Sequence, residues 1–349
     1  MRVFREGNHR DSISVLTHLP MAFAFRQGSP GIVFMGEEEK HIGCIRCANP
    51  RCMFFSNDEV SCHSIENFPG DRRRDVCPVN AIKWDETTGF PLVDTNQCLS
   101  CGICVSRCPV GALYFSNDGE LNINTEPGEY IEEIPNNGTT QAIQESLISE
   151  LMQIHRGGVM LNATDDLFDS IYEKLFQVHN NNHNTVGRNL LIALGCNCAM
   201  RRIGDVYTRM DAVYTSKTGS FGAVEIEFGR DTLDASRGIL DDIAVLFTRF
   251  GVQKHDNNAV VICLQLPNAR QGYWQVVKDI KNVEGIKIST ITIGALMLLL
   301  WNGCTFDPED DQYYLDFDNM DLRHIICGQI DYDDLPLSEK KLGILEPMR

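Results

Sequence analysis

Long apolar runs are missing from this chain of 349 residues: the longest, around Ile291 to Trp301 and preceded by Lys287, falls well short of the roughly 20 residues that span a bilayer. A helical membrane protein is therefore not expected. An N-terminal signal peptide is also lacking, so the expected location is the reducing cytoplasm, and the 14 cysteines are not read as a secreted disulfide scaffold. Basic charge is scarce, with 31 Lys and Arg against 48 Asp and Glu and a net charge of −17. The deficit is uneven: residues 1–138 balance at −7, residues 139–304 at only −2 and residues 305–349 at −8. An acidic first part suits docking to a basic partner, and the acidic tail from Asp307 to Asp334 would cover a basic surface or lie solvated. His155, His179, His183 and His255 form no metal-ligand spacing.

Cysteine is what the chain does have, and its spacing is informative. Nine cysteines fall from Cys44 to Cys108, and eight of them, all but Cys62, are laid out as a ligand set. The second half reads C-P-V-N-A-I at Cys77 and C-L-S-C-G-I-C-V-S-R-C-P-V-G-A-L from Cys98 to Leu113, a C-x2-C-x2-C-x3-C-P run. The first half, Cys44, Cys47 and Cys52, is looser, with four residues between its last pair and a 24-residue insertion before Cys77. Thiolate is a soft, charged donor suited to iron–sulfur chemistry, and two-residue spacers let one tight turn present several sulfurs to one cube. Pro78 and Pro109 stop each turn from sliding into a longer helix. The two C-P-V-x-A segments read as an internal repeat. Zinc also takes C-x2-C pairs, but eight thiolates with C-P at two of them favour clusters. A single surviving cluster, or Cys62 beside His63 replacing a ligand, remain as alternatives. Cys196, Cys198, Cys263, Cys304 and Cys327 are read as plain thiols.

On these motifs, residues 40–118 resemble the two-[4Fe-4S] bacterial-type ferredoxins, closely at the second motif and loosely at the first. The resemblance implies two [4Fe-4S] clusters with crossed ligation, one held by Cys44, Cys47, Cys52 and Cys108 and the other by Cys98, Cys101, Cys104 and Cys77.

Composition and periodicity divide the chain into an N-terminal extension (1–43), the dicluster region (44–118), a linker (119–140), a larger domain (141–304) and an acidic C-terminal segment (305–349). Ile13 to Leu16 and Ile32 to Met35 suggest strands or turns in the extension. Ile143, Leu147, Leu151 and Ile154 repeat with helical spacing, a second helix is predicted over 165–178, and the tract 179–184 is predicted as a polar loop. Strands follow at 211–215 and 221–228 around a turn carrying Gly219, then an amphipathic helix over 232–250, a strand at 259–266, a helix at 271–281 and a strand at 286–293. The expected fold is thus an α+β ferredoxin-like dicluster domain followed by an α/β mixed-sheet domain.

Strand residues two apart share a face, which puts Glu225 and Glu227 together, and across the hairpin Asp211 falls opposite Glu225. Like charges this close need a divalent cation, and hard oxygen donors suit Mg2+ or Mn2+. The bland alternative is an exposed strand with two solvated glutamates. The string D-A-V-Y, turn, A-V-E-I-E-F-G, helix, V-V-I-C-L-Q-L-P is similar to the core of the PD-(D/E)XK nucleases, nearest the type II restriction endonucleases whose last motif residue is Glu. That resemblance covers about residues 140–300 and implies a restriction endonuclease-like fold, with Asp211, Glu225 and the Ile226 carbonyl as metal ligands, and Glu227 orienting or deprotonating water. Glu173 or Glu150 would supply a further acid. No proline precedes Asp211, and lysine is absent from the third position. Arg201, Arg202, Arg209 and the cluster Arg72, Arg73 and Arg74 are candidates for phosphate contacts, and Tyr273 and Trp274 for stacking or core packing.

Two functions follow. One is a metal-dependent DNA endonuclease, of the kind used in restriction or antiviral defence and compatible with a homodimer, whose clusters are structural, part of the DNA-binding surface or redox-sensing. The other is a soluble electron-transfer subunit that meets a redox partner protein and uses its C-terminal domain for docking.

Overall fold

The computed structural model describes residues 23–25, 32–35, 38–41, 44, 50–62, 65, 68–108, 111–115, 120–125, 164–229, 234–253, 257–333, 335, 337–338 and 343–348. The helix expected over 143–154, the strand expected at 13–16, and Cys47, His63, Glu150, His155 and His255 lie outside them. Two compact units emerge: residues 1–54, 75–162 and 300–303 form the first, and residues 55–74, 163–299 and 304–349 the second. No described helix is long and apolar enough to cross a membrane.

The first unit contains a three-stranded antiparallel sheet of β1 (Phe23–Phe25), β2 (Ile32–Met35) and β3 (Glu38–His41). Two hairpins follow: β4 (Ile82–Asp85) with β5 (Phe90–Val93), and, after the short helix α1 (Ile103–Ser106), β6 (Leu113–Phe115) with β7 (Leu121–Ile123). The second hairpin continues past 118, so β7 takes the first residues assigned by sequence to the linker 119–140. The two hairpins are repeats in hydrogen bonding as well as in sequence. Asp94 N–H donates to the Ala81 carbonyl at 2.7 Å, and Asn124 N–H to the Ala112 carbonyl at 2.8 Å.

The second unit is built on a mixed five-stranded sheet. Helices α2 (Asp165–Gln177) and α3 (Asn180–Ala193) lead into β8 (Asn197–Met200), β9 (Ala212–Thr215) and β10 (Phe221–Glu227), which pair antiparallel. Helix α4 (Ala235–Phe250) then crosses to β11 (Asn257–Cys263), and α5 (Tyr273–Glu284) to β12 (Ile288–Thr292), both added in parallel, giving the order β12-β11-β10-β9-β8. Such parallel additions need a crossover, which the two helices supply. Residues 259–263 of β11 form a buried apolar run, as strands covered on both faces do. Strand β12 is buried although it carries Ser289, Thr290 and Thr292, whose hydroxyls bond the Pro308 carbonyl, the Tyr273 hydroxyl and the Ile344 carbonyl. A Cβ on Gly187 of α3 would meet the Ile226 side chain, whereas one on Gly238 of α4 would meet only Glu225 Oε1, at 3.9 Å. Alternate strand residues face opposite ways, so α3 and α4 cover opposite faces of β10.

From Asn180 onward the tract 179–184 is helical rather than a loop. Its asparagines are poor helix formers, but α3 buries Val186, Leu190 and Leu191, and the His183 ring meets the Val178 carbonyl at 2.9 Å; packing overrides local preference. Strand β8 was not signalled by the sequence, because Cys198, Ala199 and Met200 carry no alternation. The strand predicted at 286–293 ends at Thr292 and turns straight into α6 (Ile293–Trp301), which an all-apolar stretch does not distinguish from more strand. Beyond it, the acidic segment folds onto the unit: Tyr313 and Leu315 are buried, α7 (Leu322–Ile330) follows, and Lys287 and Lys278 pair with Asp311 and Asp318. Tyr273 and Trp274 are fully buried, which settles them as core.

Segment 55–74, the insertion in the first cysteine motif, extends this sheet beyond β8. Cys198 N–H donates to the Glu59 carbonyl at 2.9 Å and Asp71 N–H to the Met200 carbonyl at 2.8 Å, and Gly70 bridges Arg201. The buried Arg188 of α3 donates to the Arg73 carbonyl at 2.9 Å and lies 5.8 Å from the Phe55 ring centre.

Packing around α6 is tight enough to test. A Cβ on Gly294 would lie 2.7 Å from Ile344 Cγ2 and 2.9 Å from the Tyr172 hydroxyl, itself bonded to the Leu264 carbonyl. Gly294→Val is therefore expected to lower the unfolding free energy by about 2–3 kcal/mol in denaturant titration. Gly328→Ala in α7, with nothing within 4 Å, is expected to raise it by about 0.5–1 kcal/mol.

Candidate functional site

In the first unit the chain curls around its cysteines by visiting left-handed conformations. Ser100 has φ 53° and Gly102 φ 85°, wrapping the loop from Cys98 to Cys104. In the two C-P-V-x-A repeats, Asn80 (φ 55°) and Gly111 (φ 65°) fill the same position, and Asn and Gly are the residues that tolerate it best. Each repeat then aims an amide at its own sulfur: Ala81 N–H reaches Cys77 Sγ at 3.1 Å and Ala112 N–H reaches Cys108 Sγ at 3.2 Å, while Ser100 N–H reaches Cys98 Sγ at 3.4 Å.

Cys98, Cys101, Cys104 and Cys108 are buried, and Cys44, Cys52 and Cys77 are half-buried. Burial pushes the Cys101 and Cys104 thiols far up, and the neighbouring sulfurs of Cys77 and Cys98 push both further; Cys52 contributes least to Cys104. Sulfurs that raise one another this way ionise together only when a cation joins them, so the donor set fits iron. The Trp301 indole N–H caps the Cys101 carbonyl at 3.1 Å. Cys62 does not join this group. Its Sγ sits 3.3 Å from the Val213 carbonyl in the second unit, near Cys196 and Cys198, and burial raises it to about 11.

In the second unit the hairpin register pairs Val224 with Ala212, and one step further sets Glu225 opposite Asp211. Asp211 is held on three sides: Asn184 Nδ2 donates to Oδ1 at 2.6 Å, Ile226 N–H donates to Oδ2 at 3.0 Å, and Arg201 Nη2 lies 3.7 Å away. Burial nevertheless raises its pKa. Glu225 is raised to about 9, first by burial, then by Asp211 and by Asp242. Asp242 of α4 is 3 % exposed, within hydrogen-bonding reach of Glu225, and its Oδ2 is buried without a hydrogen-bond partner. Two carboxyls at that range share a proton, so the pair titrates as a unit.

Asp242 is the acid that sequence reasoning missed. A signal existed: it interrupts the buried stripe of α4 between Ile239, Ile243 and Leu246, where a carboxylate is out of place. Of the acids named instead, Glu173 is exposed, and Glu150 lies outside the described residues. Glu227 stands next along the face of β10; its carboxylate accepts the Gly229 N–H and also lies near His183. Among the described residues no three of His, Cys, Asp and Glu close on a single ion. The donors are nonetheless hard oxygens, buried together, with one of them lacking any partner, and that fits a divalent cation once it displaces the shared proton.

The comparisons with known proteins concern the cysteines. Residues 74–112 match the 4Fe-4S dicluster domain. An uncharacterized ferredoxin of Methanocaldococcus jannaschii is 38% identical over 58 residues, 17% of this chain and 35% of that protein. Formate hydrogenlyase subunit 2 of Escherichia coli is 36% identical over 78 residues, 21% of this chain and 36% of that protein. The ferredoxin-type protein NapF of Haemophilus influenzae is 36% identical over 61 residues, 17% and 35% of the two. The chain spans about a third of the length of these relatives. No solved structure matches. The N-terminal part therefore carries a ferredoxin-like 4Fe-4S dicluster domain, and the iron–sulfur expectation stands for it; the second unit has a mixed sheet, and the comparisons lend its nuclease reading no support.

Glu225 yields a pH prediction. Its folded pKa exceeds the ordinary 4.5, so from about 4.5 to about 9 the folded state holds a proton that the unfolded state releases, and stability falls as pH rises through that window. In EDTA, the Tm advantage of Glu225→Gln over the parent is expected to widen from pH 5 to pH 9, and Mg2+ is expected to narrow it by stabilising the parent alone.

Proposed function

We propose that the first unit is a two-cluster electron carrier. The observation that carries this reading is the crossing of the two repeats. The hairpin that follows Cys77 ends at Asp94, whose carbonyl accepts the Cys98 N–H at 3.1 Å; the hairpin that follows Cys108 ends at Asn124, whose carbonyl accepts the Cys44 N–H at 2.8 Å. Each repeat thus anchors the motif whose cluster its own cysteine would complete. Cys98, Cys101, Cys104 and Cys77 would hold one [4Fe-4S] cluster, and Cys44, Cys47, Cys52 and Cys108 the other. Bound clusters would supply one-electron storage, tuned by the amide bonds to sulfur. Relatives that include a formate hydrogenlyase subunit and a ferredoxin-type protein support a redox role, and the −7 balance of residues 1–138 suits a basic redox partner.

A test is iron content and dithionite-reduced EPR of anaerobically purified protein. Cys104→Ala and Cys44→Ala are each expected to lose about half the iron, with different EPR signals surviving. Cys62→Ala is expected to keep all of it. Equal iron loss in Cys62→Ala would falsify the ligand assignment.

A second reading applies to the other unit and rests on the convergence of Asp211, Glu225 and Asp242 beneath α4. It is divalent-metal-dependent hydrolysis of a nucleic-acid phosphodiester, in the manner of the restriction endonuclease-like proteins. The order helix α3, antiparallel β8, β9 and β10, helix α4, parallel β11 supports that likeness. Asp211, Glu225 and the Ile226 carbonyl would hold Mg2+ or Mn2+, with Asp242 beside them, and the ion would supply Lewis acidity. Glu227 would take the proton of the attacking water as a P–O bond forms and the bond to the leaving sugar oxygen breaks. A docking module gains nothing from burying these acids, which favours a chemical role.

With Mg2+ or Mn2+, the native protein is expected to nick DNA, and Glu225→Gln to lose roughly 100-fold or more of that rate with iron unchanged. Absence of cleavage of DNA and RNA by protein that binds Mn2+ would remove this reading and leave the carrier.

A further inference from the structure

The loop between β8 and β9, residues 201–210, shows apolar side chains to water from a backbone that is held still. Ile203 is 68 % exposed, Val206 80 % and Tyr207 77 %. The backbone is braced at each turn. Asp205 accepts the N–H groups of Tyr207 and Thr208 at 2.8 and 3.0 Å and donates its own N–H to the Arg202 carbonyl at 3.0 Å. Arg249 of α4 donates to the Tyr207 carbonyl, and Arg201 Nη1 reaches the Thr208 and Arg209 carbonyls at 3.3 Å each. Thr208 and Met210 are buried and pin the loop between these points. Folding gains nothing from leaving Tyr207 and Val206 outside, so their exposure points to a partner.

Charge says which partner. Arg202 and Arg209 are exposed on this loop, and Arg72 is exposed on the segment that Arg202 N–H joins through the Pro69 carbonyl at 3.0 Å. The loop's one acid, Asp205, is occupied with backbone amides. Arg209 is 3.4 Å from Asp241, an exposed pair of small strength that a phosphate can displace. The loop runs directly into Asp211, where Arg201 already reaches the carboxylate.

We propose that this loop grips single-stranded nucleic acid, with Tyr207 stacking on a base and Arg202 and Arg209 on flanking phosphates, and so delivers the strand to the carboxylate cluster. Delivery rests on the phosphodiesterase reading; binding does not. Stacking accepts any base, so the grip is not sequence-selective. Each arginine that neutralises a phosphate adds to the salt dependence of binding.

The test uses the full-length holoprotein carrying Glu225→Gln and a fluorescent single-stranded DNA of mixed sequence, with anisotropy read across a salt series. Tyr207→Ala is expected to weaken binding about 10-fold, Tyr207→Phe to preserve it, and Arg202→Gln to reduce the salt slope by roughly one. Equal affinity for the parent and Tyr207→Ala overturns the proposal, as does absence of binding. So does a dimer in solution that Tyr207→Asp dissociates without any effect on DNA. The two readings separate in protein with Glu225 intact. Strand binding that needs Tyr207 but never leads to cleavage keeps the grip and removes the hydrolysis. Cleavage at unchanged KM in Tyr207→Ala does the reverse.

Discussion

Burying like charges beside one another is the constraint on which both units turn. In the first, burial and then the neighbouring sulfurs of Cys77 and Cys98 raise the Cys101 and Cys104 thiols; in the second, burial and then the Asp211 carboxylate raise Glu225 and Asp242. The relief from the chain is partial: amides reach Cys77 and Cys98, Asp211 has Arg201 and Asn184, and Asp242 has the Glu225 hydrogen bond and the charge of Arg209. Uncompensated burial of this kind costs several kcal/mol per ion unless a proton or a cation relieves it. The two units differ in which relief the donor chemistry selects. Soft thiolates take iron, and hard carboxylates take a proton or a divalent ion.

The backbone prepares each site before any ligand arrives. Left-handed turns at Asn80, Ser100, Gly102 and Gly111 aim sulfurs inward and amides at the sulfurs. In the second unit the β-hairpin fixes Asp211 against Glu225 through register alone, because a slip by one residue would send Glu225 to the Ile226 face, under α3. Helix α4 then adds Asp242 from above.

Much of this was legible in the sequence, for reasons that differ by element. Cysteine spacing is a near-direct record of geometry, since a turn that presents sulfurs to one cube has few lengths, and alternation in Ala212–Thr215 and Phe221–Glu227 records the hairpin. Asp242 was hidden because its meaning depends on which face of α4 is buried, which the sequence shows only as one charge in an apolar stripe. Helix α3 was hidden because its first residues are asparagines and its stability comes from Leu190 and Leu191 against the sheet. The insertion between Cys52 and Cys77 makes the first cysteine motif looser than the second. Its contacts lie with β8, so its length reflects a role in the second unit's sheet.

That insertion bears on how one chain builds both units. The chain leaves the first unit after Phe54 and returns at Asp75, two residues before a cysteine expected to bind iron. Between those points it supplies the outer edge of the sheet, holds the Arg188 guanidinium through the Arg73 carbonyl and places Pro69 against Arg202. An appended domain joined by a flexible linker would need none of these bonds, because it could be cut away with its core intact. Removing residues 55–74 here would strip the outer edge of β8 of its hydrogen-bond partners and leave the buried Arg188 short of an acceptor, a loss of about 1–3 kcal/mol for that group alone. The second unit is therefore incomplete without a segment that lies inside the ferredoxin motif.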